Sequence, residues 1–418
     1  MSRATSPEVA VRRPAPRRSR ERAAPLRAVA LVSVPLLLSL AAACGDSSGG
    51  GSGPIKVGLI TSLTGNYAPL GTEDKKAVEL AVEQFNAKGG VLGRKIEIVF
   101  RDDKTQPDQA VLALNAIKRD VDAVLGPVFS NSALAAEPIA QRDKIPYLSL
   151  APATEQVKPI KSYVFVTPAL SAMYAERYLQ YFQHEKITKI AVAHDSKSGY
   201  SVAGHESTLQ LAPKYGVRVV KDESYETTTG DFSPIFTRIK DSGAQAFLFW
   251  GTGAPGVTVT KQYVASGVRI PLMLTASQAS TLWLKPVGAA AEGITVQSAI
   301  GVVGDHLPAG PQKQIIDQLA GPYKRKHGYA PPQFAQDGYS AALLLFEAIK
   351  KAGGTDAAKV QKALETMDLV TPNGRFRYSA TDHSGLSPEY ISVNTVKNGQ
   401  FVPTDWAKEQ LAKTVGGG

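Results

Sequence analysis

The stretch IKVGLITSLTGNYAPLGTEDKKAVELAVEQFNAKGGVLGRKIEIVFRDD, residues 55–103, decides the fold class. Its short apolar run Ile55–Ile60 ends in a polar turn, which is typical of a buried parallel strand. A pattern of helical period follows over Thr72–Ala87 and ends at a pair of glycines. A second strand, Lys95–Phe100, then runs into two aspartates. Strand, helix and strand in this order predict an α/β fold with a parallel sheet.

The same alternation continues along the chain and then occurs a second time. Two such sheets, each with helices on both faces, predict two lobes. Ligands of open parallel sheets bind beyond the carboxyl ends of the strands, so the cleft between the lobes is the expected site. The further strands are predicted at Asp122–Pro127, Ile145–Leu150, Lys189–His194, Arg218–Val220 and Gln245–Trp250, with helices at Pro107–Arg119 and Ser132–Arg142.

The N-terminus has the composition of a targeting segment. Residues 1–43 carry eight arginines against two acids, which leaves a net charge of +4 for the rest of a chain whose total is +10. The apolar run from Ala28 to Ala43 is too short to span a membrane comfortably. Most of the excess of basic residues thus lies in residues 1–43, and no nucleic-acid partner is expected.

The only cysteine, Cys44, directly follows that apolar run. The arrangement resembles a bacterial lipobox, with Ala41 where a leucine is usual. We expect a lipoprotein signal peptide at 1–43, a lipid on Cys44 and a Gly/Ser-rich tether at 44–54. The protein would then be extracytoplasmic and anchored to the cell membrane. A plain secretory signal with a chance cysteine is the alternative. A single cysteine also excludes a disulfide framework.

Enzyme motifs are weakly represented. Gly251, Gly253 and Gly256 match the dinucleotide fingerprint after a strand, but no acid for a ribose lies between Asp241 and Glu292. A glycine turn at a strand end is the better interpretation. Neither a phosphate-binding loop nor a nucleophile elbow is present in the sequence. We therefore expect no enzyme activity and no cofactor.

Other polar groups also have simple structural interpretations. The six histidines include no pair at metal-ligand spacing on a helix, so no metal site is expected. Asp102 and Asp103 are adjacent at a strand end and would point to opposite faces. A structural or solvated role is favoured for them over a catalytic pair.

Binding groups follow the strands of the first half. Ser130, Asn131 and Ser132 come where a helix starts, so hydroxyls and N–H groups there suit a carboxylate. Plain helix capping is the alternative, and it is compatible with binding. Ala151–Thr154, after the next strand, would add a second hydroxyl and further N–H donors.

Three aromatic residues, Tyr67, Tyr200 and Trp250, lie near predicted strand ends at the cleft. An aromatic side chain in such a place can cover an apolar ligand or serve only for packing.

These residues resemble the type I periplasmic binding proteins of ABC transporters, in the leucine/isoleucine/valine-binding family. The resemblance covers nearly all of residues 55–405. It rests on the opening stretch, on AVLGPVFSNSALAAEPIAQRDKIPYLSLAPAT and on AVAHDSKSGYSVAG. The stretches FSPIFTRIKDSGAQAFLFWGTG, AAEGI and DGYSAALLLFEAIKKAGG also fit.

The resemblance implies two Rossmann-like lobes joined by a three-strand hinge that closes on the ligand. The implied first lobe comprises residues 55–172 and 298–389. The second comprises residues 173–297 and 390–407, and residues 408–418 would form a C-terminal tail.

The resemblance also implies roles for single residues. Ser130 matches the serine that takes the ligand carboxylate, and Thr154 matches the threonine that binds the polar end of the ligand, beside the backbone of 151–153. Tyr200 matches the tyrosine that closes over the ligand. Thr252 and Trp250 lie in a loop that often supplies an aromatic side chain.

Two departures bear on the ligand. Leu70 stands where leucine-binding members have a tryptophan. Leu274–Ser280, with Ala276, Ser277 and Gln278, stands where they have a glutamate for the ligand ammonium. A buried ammonium without a carboxylate partner is unfavourable. The ligand is therefore either an amino acid, branched-chain or other, or an amine-free aromatic or aliphatic carboxylate.

The resulting hypothesis is a monomeric, lipid-anchored binding protein that captures a small carboxylate-bearing solute and delivers it to ABC permease subunits. A ligand sensor of a signalling receptor on the same fold is the second hypothesis. A secreted hydrolase or dehydrogenase is the third, and the missing motifs argue against it.

Overall fold

The computed structural model describes residues 53–416, in which strands and helices alternate. The first sheet has five parallel strands in the order β2-β1-β3-β4-β5. Strand β1, which lies between β2 and β3, is buried along most of its length, as its apolar sequence predicts. These strands are β1 (Ile55–Thr61), β2 (Ile96–Asp102), β3 (Ala123–Leu125), β4 (Tyr147–Ser149) and β5 (Val164–Val166).

The second sheet has seven strands. In chain order they are β6 (Lys189–Asp195), β7 (Arg218–Tyr225), β8 (Ala246–Trp250), β9 (Leu272–Leu274) and β10 (Thr295–Ala299). A separate antiparallel hairpin of β11 (Asp368–Thr371) and β12 (Gly374–Arg377) follows, before β13 (Ile391–Lys397) and β14 (Gln400–Pro403) return to the sheet. The order is β14-β13-β10-β9-β8-β6-β7, and β13 is antiparallel to both of its neighbours.

Helices flank both sheets, which confirms the predicted α/β class. They are α1 (Ala68–Ala87), α2 (Pro107–Ile117), α3 (Ser130–Asp143), α4 (Ser171–His184), α5 (Gly199–Leu211), α6 (Ser233–Lys240), α7 (Ala254–Ser266), α8 (Thr281–Val287), α9 (Pro311–His327), α10 (Gln333–Ala352), α11 (Ala357–Glu365) and α12 (Asp405–Gly416). Helices α1 and α10 share one core with the first sheet, and we call this body the first lobe. The second sheet and its helices form the second lobe.

Several elements are longer than the sequence pattern indicated. Helix α1 begins at Ala68 rather than Thr72. Pro69 is tolerated in its first turn, because the backbone N–H groups of that turn have no partner within the helix and the missing N–H of proline costs nothing there. Helix α3 begins at Ser130 rather than Ser132. Strand β7 continues to Tyr225, which pairs with Asp195, beyond the predicted end at Val220.

The chain passes between the two sheets three times: after β5, after β10 and before β13. The predicted lobe boundary at 297/298 falls inside β10, and the boundary at 172/173 falls inside α4. The segment 408–418, predicted as a tail, lies mostly within α12, where Leu411 is buried. The predicted leader 1–43, Cys44 and most of the tether lie outside the described residues.

None of the helices within residues 53–416 is both long and apolar enough to cross a membrane.

The core of the second lobe depends on close contact between α5 and β8. The Trp250 side chain is fully buried, and its indole N–H donates to Thr208 Oγ1 at 3.2 Å. A Cβ on Gly204 of α5 would lie 2.2 Å from the indole ring. Only glycine therefore allows the helix to approach the ring this closely.

We expect Gly204→Ala to lower the free energy of unfolding by about 1–3 kcal/mol, because the new methyl group overpacks the core. Gly321→Ala in α9 is the matched control, since a Cβ there would meet only the end of the Arg325 side chain, at 3.3 Å. That change should raise stability by about 0.5–1 kcal/mol through helix propensity. Urea denaturation monitored by circular dichroism measures the free energy of unfolding of both variants. Equal stabilisation by the two substitutions would contradict the packing described here.

Candidate functional site

The loops at the carboxyl ends of the parallel strands of both sheets line one narrow cavity. Its volume is about 40 Å³, and its wall comes from both lobes. The first lobe contributes residues that follow β1, β3 and β4, and the second contributes residues that follow β6, β8 and β9. The cavity thus lies where parallel-sheet topology places a ligand. Of the residues predicted from the sequence, Tyr67, Leu70, Ser130, Tyr200, Thr252 and Ser277 line it.

Ser130 has the geometry expected of an anion-binding residue. It is the first residue of α3, and its hydroxyl is buried with no hydrogen-bond partner among residues 53–416. The first intrahelical bond is donated by the Ala133 N–H to the Phe129 carbonyl at 2.9 Å, so the N–H groups of 130–132 precede the ladder. A hydroxyl and backbone N–H groups at a helix N-terminus together favour a carboxylate in the cavity.

The loop after β4 contributes less than the sequence indicated. Pro152 lines the cavity, whereas Ala151, Ala153 and Thr154 do not. The Ala151 N–H, expected to face the ligand, instead donates to Ser149 Oγ at 3.1 Å. The carbonyls of Ala151 and Ala153 accept from Gln156 Nε2 at 2.7 and 3.2 Å. The loop is thus held by its own side chains.

Thr154 opens a short 3-10 helix, and its hydroxyl is buried without a partner among the described residues.

The three predicted aromatic residues take different positions. Tyr67 and Tyr200 line the cavity from opposite lobes, and burial raises the pKa of Tyr67 to about 12. The Tyr200 hydroxyl lies near Thr275 and Ser277 but has no partner at hydrogen-bonding geometry. Trp250 does not line the cavity. It lies behind Tyr200 in the core, with ring centroids 5.4 Å apart.

The segment 274–280 brings no charge to the cavity. Ala276 and Ser277 line it, and the Ser277 hydroxyl donates to the Gly251 carbonyl at 2.6 Å. Gln278 lies over Gly256, where a Cβ would meet its amide at 2.3 Å. The missing side chain at Gly256 therefore leaves room for the Gln278 amide.

One charged group in the cavity wall was missed at the level of sequence. Gln333, Phe334 and Asp337 of α10 line the cavity. Asp337 is only 2% exposed, and burial raises the pKa of its carboxyl to about 7. The stretch DGYSAALLLFEAIKKAGG begins with it, and the available signal was an acid just before the apolar run of a helix.

Asn131 joins the two lobes beside the cavity. Its side-chain amide donates to the Lys197 carbonyl at 3.1 Å and accepts from the Gly199 N–H at 2.9 Å. Asn131 does not itself line the cavity. The structure therefore gives it an interlobe contact where the sequence predicted a ligand contact.

The two aspartates after β2 have structural partners. Asp102 accepts from the backbone of Leu63, Thr64 and Lys104. Asp103 is buried and accepts from the Ser62 hydroxyl at 2.6 Å. Both carboxylates hold the turn that leads into α1.

A cluster of possible metal ligands lies in the second lobe, outside the cavity wall. His194, His205 and Asp222 approach one another, and His205 Nε2 is 2.8 Å from Asp222 Oδ1. The two imidazole rings are stacked 3.8 Å apart and nearly parallel. One possible ligand atom from each residue lies within 4.8 Å of the others, and His205 and Asp222 form a hydrogen-bonded pair.

Comparison with known proteins supports the same fold. Residues 54–400 match the model of a family described as Periplasmic binding protein. The Leu/Ile/Val-binding protein homolog 7 of Brucella abortus is 27% identical over 339 residues, which cover 76% of this chain and 82% of that protein.

Two solved structures with bound ligands have similar folds. A branched-chain amino acid transporter substrate-binding protein from Streptococcus pneumoniae, in complex with isoleucine, has a TM-score of 0.73 at 22% identity and covers 84% of this chain and 100% of that one. A solute-binding protein of an ABC transporter from Rhodopseudomonas palustris, in complex with benzoate, also has a TM-score of 0.73 at 22% identity, over 84% and 95% of the two chains. With the family match spanning both lobes and the cavity between them, this chain belongs to the periplasmic binding protein family.

Proposed function

We propose that this protein is the extracytoplasmic solute-binding component of an ABC importer and that it captures a small carboxylate-bearing solute between its lobes. The family consists of solute-binding proteins, and this chain is one of its members. The cavity wall contains no histidine, cysteine or lysine among the described residues, and its carboxylate, Asp337, accepts no hydrogen bond from a hydroxyl of the wall that could act as a nucleophile. Binding without covalent chemistry is the function that this wall supports.

The Ser130 hydroxyl is the observation that carries the proposal. A buried hydroxyl without a partner is unfavourable unless a ligand supplies one. Its place at the start of α3 adds backbone N–H groups and the positive end of the helix dipole. All of these groups favour an anion, and a carboxylate is the anion shared by the isoleucine and benzoate found in the similar structures.

Closure of the lobes is the second part of the proposal. The cavity wall contains Ser130 from one lobe and Tyr200 from the other, so a ligand that fills the cavity contacts both. A ligand that binds both lobes at once stabilises the closed arrangement by its differential affinity for that arrangement. Asn131 adds interlobe hydrogen bonds that exist only when the lobes are together.

Membrane anchoring through Cys44 completes the proposal. It rests on the sequence alone: a basic leader, a short apolar run and the only cysteine directly after it. The Gly/Ser-rich residues that follow would hold the lobes near the membrane by a flexible tether.

We expect Ser130→Ala to weaken binding of the carboxylate solute roughly 10- to 100-fold, because a hydrogen bond to a charged group contributes about 1.5–3 kcal/mol. Calorimetric titration of the ligand-stripped protein measures this. Ser201→Ala is the matched control, since its hydroxyl is also buried without a partner but lies outside the cavity wall. Equal affinity of wild type and Ser130→Ala would remove the main support for a carboxylate at this helix.

We expect Asn131→Ala to weaken binding roughly tenfold, mainly through faster dissociation, because two interlobe hydrogen bonds of about 0.5–1.5 kcal/mol each are lost. Stopped-flow measurement of ligand release gives the rate. Asn115→Ala is the control, since Asn115 bonds only to the Val111 carbonyl of its own helix, at 3.0 Å. An unchanged release rate for Asn131→Ala would show that these bonds do not hold the closed state.

We expect expression in a bacterium with lipoprotein processing to yield a membrane-bound protein that incorporates labelled fatty acid. Cys44→Ala should abolish the label and release the protein from the membrane fraction. The label is measured on gels after growth with an alkyne fatty acid. Label retained in Cys44→Ala would contradict lipidation at this residue.

A further inference from the structure

The cavity wall holds one carboxylate, and its position on α10 is fixed by the fold. Gln333 and Asp337 are four residues apart, so they share one face of the helix. That face lines the same cavity as Ser130. Segment 274–280 of the second lobe contributes no acid, so Asp337 brings negative charge to the cavity from the first lobe instead.

Asp337 is held in place by two amide donors. Its Oδ1 accepts from Gln333 Nε2 at 3.0 Å and from Asn373 Nδ2 at 2.8 Å. The Gln333 amide is itself oriented, because its oxygen accepts the Ala299 N–H at 2.6 Å. These hydrogen bonds therefore fix the orientation of the Asp337 carboxylate.

The other oxygen of Asp337 accepts no hydrogen bond from the described residues, and no Lys, Arg or His forms an ion pair with this carboxylate. A buried carboxylate that lacks a cation is strongly disfavoured. Two donors to the charged form show that the site can hold the ionised acid. What the site lacks is one positive charge on the cavity side.

The surroundings of Asp337 also suit a cation. Tyr174 and Tyr200 line the cavity and lie close enough to Asp337 for its charge to raise the pKa of both phenols, beside the larger effect of burial. Aromatic faces attract ammonium groups. Asp74 of α1 is the other nearby acid, but it lies outside the cavity wall, and burial and the neighbouring Asp337 raise its pKa well above the usual range.

We propose that Asp337 accepts the ammonium group of the ligand, so that the solute is an α-amino acid whose carboxylate lies at Ser130 and whose amine lies at α10. The inference rests on the proposed function, because it assumes that the cavity is the ligand site. It selects amino acids over carboxylates of the same shape that lack an amine. Because segment 274–280 has no acid, the negative charge then comes from the first lobe instead of the second. The ligand is still an amino acid.

Calorimetry on the full-length, ligand-stripped protein tests this with matched pairs of probes. The pairs are leucine with 4-methylpentanoate, valine with 3-methylbutanoate and phenylalanine with 3-phenylpropanoate, which differ only in the amine. We expect wild type to bind the amino acid of at least one pair more than tenfold more tightly than its partner. Equal or tighter binding of the amine-free member would overturn the role of Asp337 and leave the proposed function standing.

Asp337→Asn is the decisive variant, because an amide oxygen still accepts from Gln333 and Asn373 while the charge is lost. It should bind the amino acid at least tenfold more weakly and the amine-free partner within about threefold of wild type. Asp74→Asn is the matched control, as a buried acid outside the cavity wall, and it should keep the wild-type preference. Retention of the amine preference in Asp337→Asn would overturn the proposal.

A pH series on wild type needs no variant. The nearby titratable groups are Asp74, Tyr174 and Tyr200, and burial raises the pKa of each of them. Amino-acid affinity should rise between pH 5.5 and 8, because Asp337, with a pKa of about 7, must ionise to attract the ammonium. Affinity that falls over this range would contradict an ionised Asp337. If wild type binds no member of any pair, the proposed function fails, and this inference fails with it.

Discussion

Most groups that face the cavity are there because parallel strands end at the same edge of their sheet. Strands β1, β3 and β4 direct their following loops toward strands β6, β8 and β9 of the other lobe. The chain crosses between the lobes three times, so the two edges are held opposite each other. A helix N-terminus at Ser130 and a tyrosine at Tyr200 then meet across a narrow space.

The cavity combines complementary charges at low exposure. The first turn of α3 favours an anion, and Asp337 on α10 favours a cation. Among the described residues, the Ser130 hydroxyl has no hydrogen-bond partner and Asp337 has no cation beside its two amide donors, and both conditions are costly in a buried place. A zwitterionic solute would satisfy both groups at once, and the closed lobes would keep water away from the two interactions. The proposed specificity and the proposed closure therefore depend on the same interactions.

The sequence predicted much of this arrangement, for reasons that differ from residue to residue. Ser130 could be predicted as a binding residue from the sequence, because a polar residue directly after an apolar strand and before a helix has only a few roles. Trp250 was placed on the cleft, yet it faces α5, because a strand buried on both faces shows no alternation that tells its two sides apart. Asp337 was missed because only tertiary packing brings α10 to the cavity. The predicted tail lies mostly within helix α12, whose buried residues Trp406, Ala407 and Leu411 share one helical face that begins before the predicted tail.

We propose that a small carboxylate-bearing solute binds between the lobes at Ser130. Thermal melting of the ligand-stripped protein with a panel of amino acids and organic acids is the measurement to make first. A ligand at a hundred times its dissociation constant adds about 2.7 kcal/mol of stability. At least one carboxylate should raise the melting temperature of wild type by a few degrees and should raise that of Ser130→Ala much less at the same concentration. A panel without any shift, or a shift of equal size in both proteins, would contradict this proposal.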